Sequence, residues 1–264
     1  MKNKQHFKAG IVQFDVRLGN IELNLSSALK GIDQLKAQNA NIALLPEMWS
    51  CGFDNKNLAV HAEKTDYVID RLTQTASRYN MIIAGSLPES SGGSIFNTNY
   101  LVDGNTGVVC KYRKIHLFSP AQEDKYFCAG NRAVVCETSA GRVGLMTCYD
   151  LRFPELCRHL TLSGAMLILI SAQWPLERIN HWDILLQARA IENQVFIAAA
   201  NSCGIENSMT YGGHSTLVSP FGEILDRAGE KESIISSELD FSEISNFRKK
   251  IPCLTARRPE AYGF

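Results

Sequence analysis

The chain has 264 residues, of which 45% are hydrophobic and 20% charged, a balance that is typical of globular proteins and excludes a disordered chain. It carries 27 basic and 27 acidic residues, so there is no positive excess that would indicate a nucleic-acid partner. The apolar runs are too short to cross a bilayer, and the polar start lacks the apolar core of a signal peptide. Residues 1–264 are therefore interpreted as one domain of a cytoplasmic protein with no membrane partner.

Hydrophobic periodicity predicts alternating strands and helices in two blocks, with short strands between them. The run Asp103–Gly107 is a strong hairpin signal between two of the middle strands. This order favours a layered α/β fold, although the pattern alone does not separate three layers from four. The predicted strands cover 7–14, 42–45, 81–85, 98–102, 108–112, 134–137, 143–147, 166–171, 195–200, 215–218 and 223–225. The predicted helices cover about 23–38, 68–79, 154–163 and 181–193.

The eight cysteines show no tight pairing along the chain. In a reducing cytoplasm we expect them to be free thiols rather than disulfides. There is no C-x-x-C motif and no His/Cys cluster with zinc spacing, so no structural metal is expected.

Cys148 carries the strongest local chemical signal. It ends a predicted strand and precedes a run, Tyr149–Glu155, that opens a predicted helix. A side chain at such a turn projects outward beside the next backbone N–H, as a catalytic nucleophile requires. Nearby positive charge and the helix N-terminus would favour its thiolate. The alternative is a buried inert cysteine, which is the commoner case.

Two further residues lie where predicted strands end, at the edge at which α/β sheets usually hold their active sites. Glu47 follows the strand 42–45 and Pro46, and it could act as a general base rather than as a surface carboxylate. Lys114 lies just after the predicted strand 108–112, among apolar residues. A partly desolvated ammonium group there would act strongly on a nearby anion, and the alternative is an ordinary solvated lysine at a strand end.

Together these residues carry a family resemblance. The chain resembles the nitrilase superfamily of carbon–nitrogen hydrolases along nearly its whole length, with three motifs in the family's order Glu, Lys, Cys. Supporting blocks include Gly213–Ser215 and Pro220–Glu223. The three motifs are Leu44-Leu45-Pro46-Glu47, Tyr112-Arg113-Lys114-Ile115-His116-Leu117-Phe118 and Cys148-Tyr149-Asp150-Leu151-Arg152-Phe153-Pro154-Glu155.

The resemblance implies a four-layer αββα sandwich that forms a homodimer. It also implies a second glutamate between the lysine and the cysteine. Glu123 occupies the matching place, and Asp124 is the alternative. No cofactor is implied.

Within this superfamily the chain is most similar to the omega-amidase branch. Tyr149-Asp150 stands where true nitrilases typically have tryptophan and glutamate, which disfavours nitriles. The branch acts on terminal amides of small dicarboxylates such as 2-oxoglutaramate or 2-oxosuccinamate. The expected reaction passes through a thioester on Cys148 and releases ammonia.

The expected roles follow from this resemblance. Glu47 is the general base, Glu123 helps position water, and Lys114 and the backbone N–H of Tyr149 bind the oxyanion. Trp174 and Arg152 are candidate substrate-binding residues.

Three questions stay open at this point. The alternative for Arg152 is a structural ion pair with Glu155 at the helix start. The substrate carboxylate has four candidate partners, which are Arg152, Arg178, Arg257 and Arg258. Other functions remain, namely hydrolysis of an N-carbamoyl amino acid or another linear amide, or a thiol-based redox sensor or inactive binding module that uses Cys148 alone.

Overall fold

Two six-stranded mixed sheets lie face to face in the computed structural model, which describes residues 6–206 and 208–261. Strands are numbered in chain order. The first sheet contains, in spatial order, β14 (Ser233–Asp240), β1 (His6–Gln13), β2 (Ile42–Leu44), β3 (Ile82–Ser91), β4 (Ser94–Asp103) and β5 (Gly107–Arg113). The second contains β13 (Ile224–Arg227), β12 (Thr216–Val218), β9 (Phe196–Asn201), β8 (Leu167–Ala172), β7 (Gly141–Thr147) and β6 (Val135–Thr138). A separate hairpin pairs β10 (Cys203–Glu206) with β11 (Met209–Gly212).

Helices cover the outer face of each sheet. Helices α1 (Ile21–Ala37) and α3 (Thr65–Tyr79) pack on the first sheet, and α4 (Pro154–Leu162) and α5 (Ile179–Asn193) pack on the second. This confirms the predicted four-layer αββα sandwich. Two shorter helices are α2 (Leu58–Glu63) and α6 (Ser242–Lys250). None of the helices described is long and apolar enough to cross a membrane.

The central strands of both sheets are parallel and buried on both faces. Strand β8 reads Leu-Ile-Leu-Ile-Ser-Ala and is buried throughout, as expected for a parallel strand covered on each side. On the other side of the molecule, Gly31 of α1 lies directly against Val12 of β1, where an added Cβ would overlap the valine side chain. The backbone N–H of Glu47, just after β2, lies 3.3 Å from the carbonyl oxygen of Ala172 at the end of β8, and β8 runs parallel to β7. The carboxyl ends of β2, β7 and β8 thus meet at one edge of the sandwich, where α/β proteins place their sites.

The structure adds elements that the sequence pattern did not predict. Strand β14 pairs antiparallel with β1 from more than 200 residues away, and local periodicity carries no information about such a partner. The hairpin of β10 and β11 and the helix α2 were also missed, since each is short.

The expectation that all cysteines are free thiols is wrong for one pair. Cys110 of β5 and Cys136 of β6 form a disulfide, with their Cα atoms 6.1 Å apart. The two strands are edge strands of different sheets, and the face-to-face packing brings them within bonding reach. The other six cysteines are free.

Candidate active site

The three residues expected at strand ends converge at the same edge of the two sheets. Glu47 follows β2, Lys114 follows β5 and Cys148 follows β7. The Nζ atom of Lys114 lies 2.8 Å from Oε1 of Glu47. Glu47 and Lys114 are 1% and 2% exposed, so the alternatives of a surface glutamate and a solvated lysine are wrong.

Glu123 completes this cluster, as the resemblance implied. It is the first residue of a 3-10 turn, Glu123–Lys125, and it is 4% exposed. Its two carboxylate oxygens accept hydrogen bonds of 2.9 and 2.7 Å from Lys114 Nζ. Oε2 also accepts a bond of 2.7 Å from the backbone N–H of Phe118. The neighbouring Asp124 is exposed, so Glu123 is the residue that the fold brings to the site.

Asn97 joins the two glutamates and was missed by the sequence analysis. Its side-chain amide donates to Glu47 at 2.8 Å and to Glu123 at 3.2 Å, and the residue is 1% exposed. It lies on β4 in the run Asn97-Thr98-Asn99. Asn99 lies in the predicted strand 98–102 and Asn97 just before it, and these two amides were the available signal, because buried polar groups need partners.

Backbone contacts across the two sheets fix the carboxylate of Glu47. The backbone N–H of Gln173 donates to Oε2 of Glu47 at 3.0 Å, and the Gln173 side-chain amide donates to the Glu47 carbonyl at 2.9 Å. Gln173 directly follows β8, so the end of one sheet holds a side chain from the other. The other carboxylate oxygen of Glu47, Oε1, accepts the hydrogen bond from Lys114.

Cys148 lies at a tight turn between β7 and the 3-10 turn Cys148–Arg152, which leads into α4. Its φ of +46° lies in the left-handed region, which is costly for a residue with a Cβ and is often found at functional sites. Its Sγ atom lies 3.8 Å from the carbonyl oxygen of Gln173. The geometry of the predicted strand-to-helix turn is thus present.

Asp150 holds this turn in place. It is completely buried and accepts a hydrogen bond of 2.9 Å from the backbone N–H of Thr147. Tyr112 Oη donates to it at 2.7 Å, and His116 Nδ1 lies 2.7 Å away. His116 also stacks on Phe153, with ring centroids 3.6 Å apart. Both the histidine and the aspartate therefore have structural partners beside Cys148.

The electrostatics of the cluster favour a protonated thiol. Burial would lower the pKa of Lys114, but the fields of Glu123 and Glu47 outweigh it and raise that pKa well above its usual value. Burial, followed by the negative field of Glu47, raises the pKa of Cys148 well above its usual value, despite Lys114. Burial also raises the pKa of Glu47. Burial and the two carboxylates thus outweigh the one ammonium group near Cys148, and the positive charge expected to favour a thiolate does not lower the pKa of this thiol.

A cavity of about 230 Å³ opens above the cluster, a size that suits a small substrate. Glu47, Lys114, Glu123 and Cys148 line it, together with residues from five other parts of the chain. These further residues are Phe53, Asn55, Phe118, Ala121, Tyr149, Arg152, Gln173, Trp174, Pro175, Arg178, Glu206, Ser208, Met209 and Tyr211.

Two of the four candidate arginines line this cavity. Arg152 is turned toward His181, 3.3 Å away, and lies 4.6 Å over the ring of Trp174. Within the described part of the chain its guanidinium is not paired with Glu155, so the ion pair given as the alternative is not the arrangement found. Arg178 forms an ion pair with the exposed carboxylate of Glu177. The tail arginines are not among the described lining residues.

No group of three or more metal-ligating side chains occurs within residues 6–206 and 208–261. The ammonium group of Lys114 is instead paired with the carboxylates of Glu47 and Glu123. The arrangement offers a thiol, a carboxylate beside it, an ammonium donor and a second carboxylate. These groups are suited to acyl transfer through a covalent intermediate.

Comparison with known proteins gives a consistent result. The sequence profile of the carbon–nitrogen hydrolase family matches residues 8–249. The 2-oxoglutaramate amidase of Bacillus subtilis (strain 168) is 36% identical over 253 residues, covering 95% of this chain and 97% of that protein. The omega-amidase NIT2 of Xenopus tropicalis is 34% identical over 268 residues and 97% of each chain. A solved carbon–nitrogen hydrolase from Helicobacter pylori G27 superimposes with a TM-score of 0.93 at 24% identity, covering 99% of this chain and 98% of that one, and so shares the fold.

Proposed function

Because the chain belongs to the carbon–nitrogen hydrolase family and is a hydrolase of linear amides, we propose that it removes the terminal amide of a small dicarboxylate monoamide. The substrate class is that of 2-oxoglutaramate or 2-oxosuccinamate, and the products are ammonia and the dicarboxylate. The observation that carries the proposal is the cluster of Cys148, Glu47, Lys114 and Glu123 at a small cavity that also presents an arginine. The name of the Bacillus subtilis relative supports the same substrate class.

In the first half of the proposed reaction, Cys148 is the nucleophile and Glu47 the general base. The thiol proton passes to Glu47 as sulfur attacks the amide carbon, because the raised pKa of Cys148 disfavours a free thiolate beforehand. The tetrahedral oxyanion accepts hydrogen bonds from Lys114 Nζ and the backbone N–H of Tyr149. Glu47 returns the proton to the amide nitrogen and the C–N bond breaks. Ammonia leaves, and the acyl group stays on Cys148 as a thioester.

In the second half, water hydrolyses the thioester. Glu47 accepts a proton from the water, whose oxygen attacks the thioester carbon. The C–S bond breaks, and the same proton restores the thiol. Glu123 helps position the water in this proposal and keeps Lys114 in place.

Lys114 can bind the oxyanion without losing either carboxylate. An ammonium group has three N–H donors, and Lys114 contacts Glu47 once and Glu123 twice. When the oxyanion forms, it can replace one of the two contacts that Lys114 makes with Glu123, while the other contact stays in place. The number of bonds to Lys114 is then unchanged, but one of them is made to the developing negative charge and both carboxylates stay paired, so the interaction favours the transition state.

Arg152 is the proposed partner of the substrate carboxylate. Its guanidinium contacts a histidine ring and the face of Trp174, whereas Arg178 is already paired with Glu177. An arginine without a carboxylate partner binds a planar carboxylate most readily. Trp174 would hold the guanidinium in place by stacking.

The substrate assignment predicts a strong dependence on the free carboxylate. Four- and five-carbon omega-amides should be hydrolysed far faster than their methyl esters or the corresponding nitriles. Arg152→Met should lower kcat/KM for the acids by about 10- to 150-fold, the range for one lost bond to a charged group, and leave the esters almost unchanged. Ammonia release measures both.

Lys56→Met, in an exposed loop, serves as the control and should match the wild type. Equal rates for acid and ester in the wild type would refute the dicarboxylate substrate but not the amidase. An equal loss for acid and ester in Arg152→Met would remove Arg152 from this role.

A homodimer is proposed through the outer helices of the second sheet. Ile184 and Ile191 lie seven residues apart on α5, hence on one face, and are 66% and 47% exposed. Leu162, at the end of α4, is 48% exposed. Exposed apolar side chains grouped in this way are typical of protein interfaces, and a two-fold axis would bring each face against its copy.

Ile184→Glu should convert the dimer into a monomer in light scattering, because it would place a charge within the apolar contact. Val60→Glu, at a position on α2 that is 56% exposed, provides a matched control that should remain dimeric. A monomeric wild-type protein at micromolar concentration would contradict the assignment.

The cytoplasm is the proposed location. Six free cysteines are compatible with a reducing compartment, whereas the bond between Cys110 and Cys136 favours an oxidising one. Cell fractionation followed by detection of the protein distinguishes the two, and we expect the protein in the cytoplasmic fraction. Recovery from a periplasmic or secreted fraction would oppose this location.

A further inference from the structure

A buried carboxyl group that the proposed mechanism does not use lines the substrate cavity. Glu206 ends strand β10, and the hairpin of β10 and β11 also brings Ser208, Met209 and Tyr211 to the cavity. Glu206 is 5% exposed. The hairpin was missed by the sequence analysis, so this wall of the cavity appears only in the structure.

The site around Glu206 is built to receive its side chain. Gly52 packs against the carboxylate with a φ of +65°, and an added Cβ would overlap Oε2 of Glu206. The backbone N–H of Phe53 donates to Oε1 at 3.2 Å and lies 3.4 Å from Oε2. Within the described part of the chain this is the only hydrogen-bond donor to Glu206, although a carboxylate can accept about four bonds.

The charges near Glu206 are unfavourable to an ionised carboxylate. Burial is the largest effect and raises the pKa of Glu206 to about 7, against a smaller lowering by the Phe53 N–H. Asp54, Glu47 and Asp15 add to the rise. The other titratable groups that interact with it, Cys51 and Tyr211, have raised pKa values themselves and carry no positive charge.

We propose that Glu206 is a specificity-determining residue whose protonated carboxyl group donates a hydrogen bond to the 2-oxo oxygen of the substrate. The inference rests on the proposed function and extends it, because it says how the cavity distinguishes 2-oxo monoamides from those without the oxo group. No covalent step is involved. The residue acts on binding, while Cys148, Glu47 and Lys114 carry the chemistry.

Two features favour a neutral donor over an ionised acceptor at this position. A buried carboxylate with one N–H donor among three other acids is costly, whereas a protonated carboxyl group keeps its bond from Phe53 and has an O–H left to donate. A carbonyl oxygen is the natural partner of that O–H. An ionised Glu206 would instead favour a ligand with an ammonium group, such as a 2-amino monoamide.

The experiment measures one ratio, kcat/KM for 2-oxosuccinamate divided by kcat/KM for succinamate, between pH 5.5 and 9. A ratio cancels any general loss of folding or activity. In the wild type it should be high at low pH and fall as the pH rises through about 7, the pKa of Glu206, because deprotonation removes the donor.

Glu206→Gln supplies an N–H donor that does not titrate, so its ratio should stay high and lose its dependence on pH. Glu206→Leu has no donor, and its ratio should be about 5- to 100-fold lower than that of the wild type at pH 6. Glu63→Gln, an exposed carboxyl at the end of α2, should keep the wild-type profile.

Each alternative outcome is distinct. A wild-type ratio that does not change with pH, or a Glu206→Gln ratio as low as that of Glu206→Leu, would overturn the assignment of Glu206 alone. Faster hydrolysis of asparagine than of 2-oxosuccinamate, lost in Glu206→Gln, would show an ionised Glu206 and also overturn it. Failure to hydrolyse any dicarboxylate monoamide, with turnover of other amides retained, would refute the proposed function itself.

Discussion

Cys148→Ala is expected to abolish ammonia release, with kcat reduced by on the order of 10⁶-fold, the scale seen when a hydrolase loses its nucleophile. Alanine has no atom that can form the acyl bond, and the other groups of the site cannot act through a thioester in its absence. The fold should persist, because Cys148 is partly exposed at the cavity and alanine leaves its neighbours in place.

Steady-state ammonia release measures this loss, and mass spectrometry of the intact protein followed by peptide mapping provides a second readout. A slow amide substrate should leave an acyl adduct on the wild type, within the peptide that carries Cys148, and none on Cys148→Ala. Cys253→Ala, which removes an exposed free cysteine, is the control and should behave as the wild type. Appreciable turnover by folded Cys148→Ala would exclude Cys148 as the nucleophile.

Lys114→Met should reduce kcat by at least about 10²- to 10³-fold, the usual cost of losing one oxyanion donor. Methionine has a similar length but no N–H, so it fills the space of a side chain that is 2% exposed and supplies no bond to the oxyanion. The loss should appear in kcat, because the bond forms in the transition state. A rise in KM alone would indicate a binding role instead.

The same substitution should make stability depend on pH. Without Lys114, Glu47 and Glu123 are buried close together with no cation between them, so each carboxyl would hold its proton more tightly in the folded state than in the unfolded state. A raised folded-state pKa means that stability is greatest at low pH and is lost as the pH rises. The melting temperature of Lys114→Met should therefore fall relative to the wild type between pH 5 and pH 8.

Lys111→Met is the matched control. This lysine lies on β5, which Lys114 directly follows. Its side chain is 50% exposed and pairs with Glu89 rather than with the active-site cluster, so the kcat of the variant should remain near the wild-type value. A similar loss in both variants would mean that the effect follows from damage to β5.

The convergence of the three proposed catalytic residues was predictable from sequence because each of them carries a chemical signal at a predicted strand end. Glu47, Lys114 and Cys148 are spaced along the chain in motifs that are also local structures, so the sequence determines both their chemistry and their position. Glu123 needed the family resemblance, since nothing in the run Gln122-Glu123-Asp124 distinguishes two adjacent acids. Only folding shows that one of them is buried and the other exposed.

Residues whose role depends on distant partners could not be predicted in this way. Asn97 acts by lying between two carboxylates that are 50 and 26 residues away. Glu206 is an unremarkable acid in a short hairpin, and its burial depends on Gly52 and Phe53, more than 150 residues earlier. The pairing of Cys110 with Cys136 likewise follows from the contact between two sheets. Long-range packing determines all three, and a local pattern does not record it.

The raised pKa of Cys148 has a consequence for the durability of the enzyme. Peroxides and alkylating agents react with the thiolate rather than the thiol, and burial, followed by the carboxylates beside Cys148, keeps the thiolate scarce. The sulfur is therefore shielded from sulfenic acid formation without being sealed from solvent. Its nucleophilic strength is available mainly to a molecule that places an electrophilic carbon beside it, so an effective covalent inhibitor must resemble the amide.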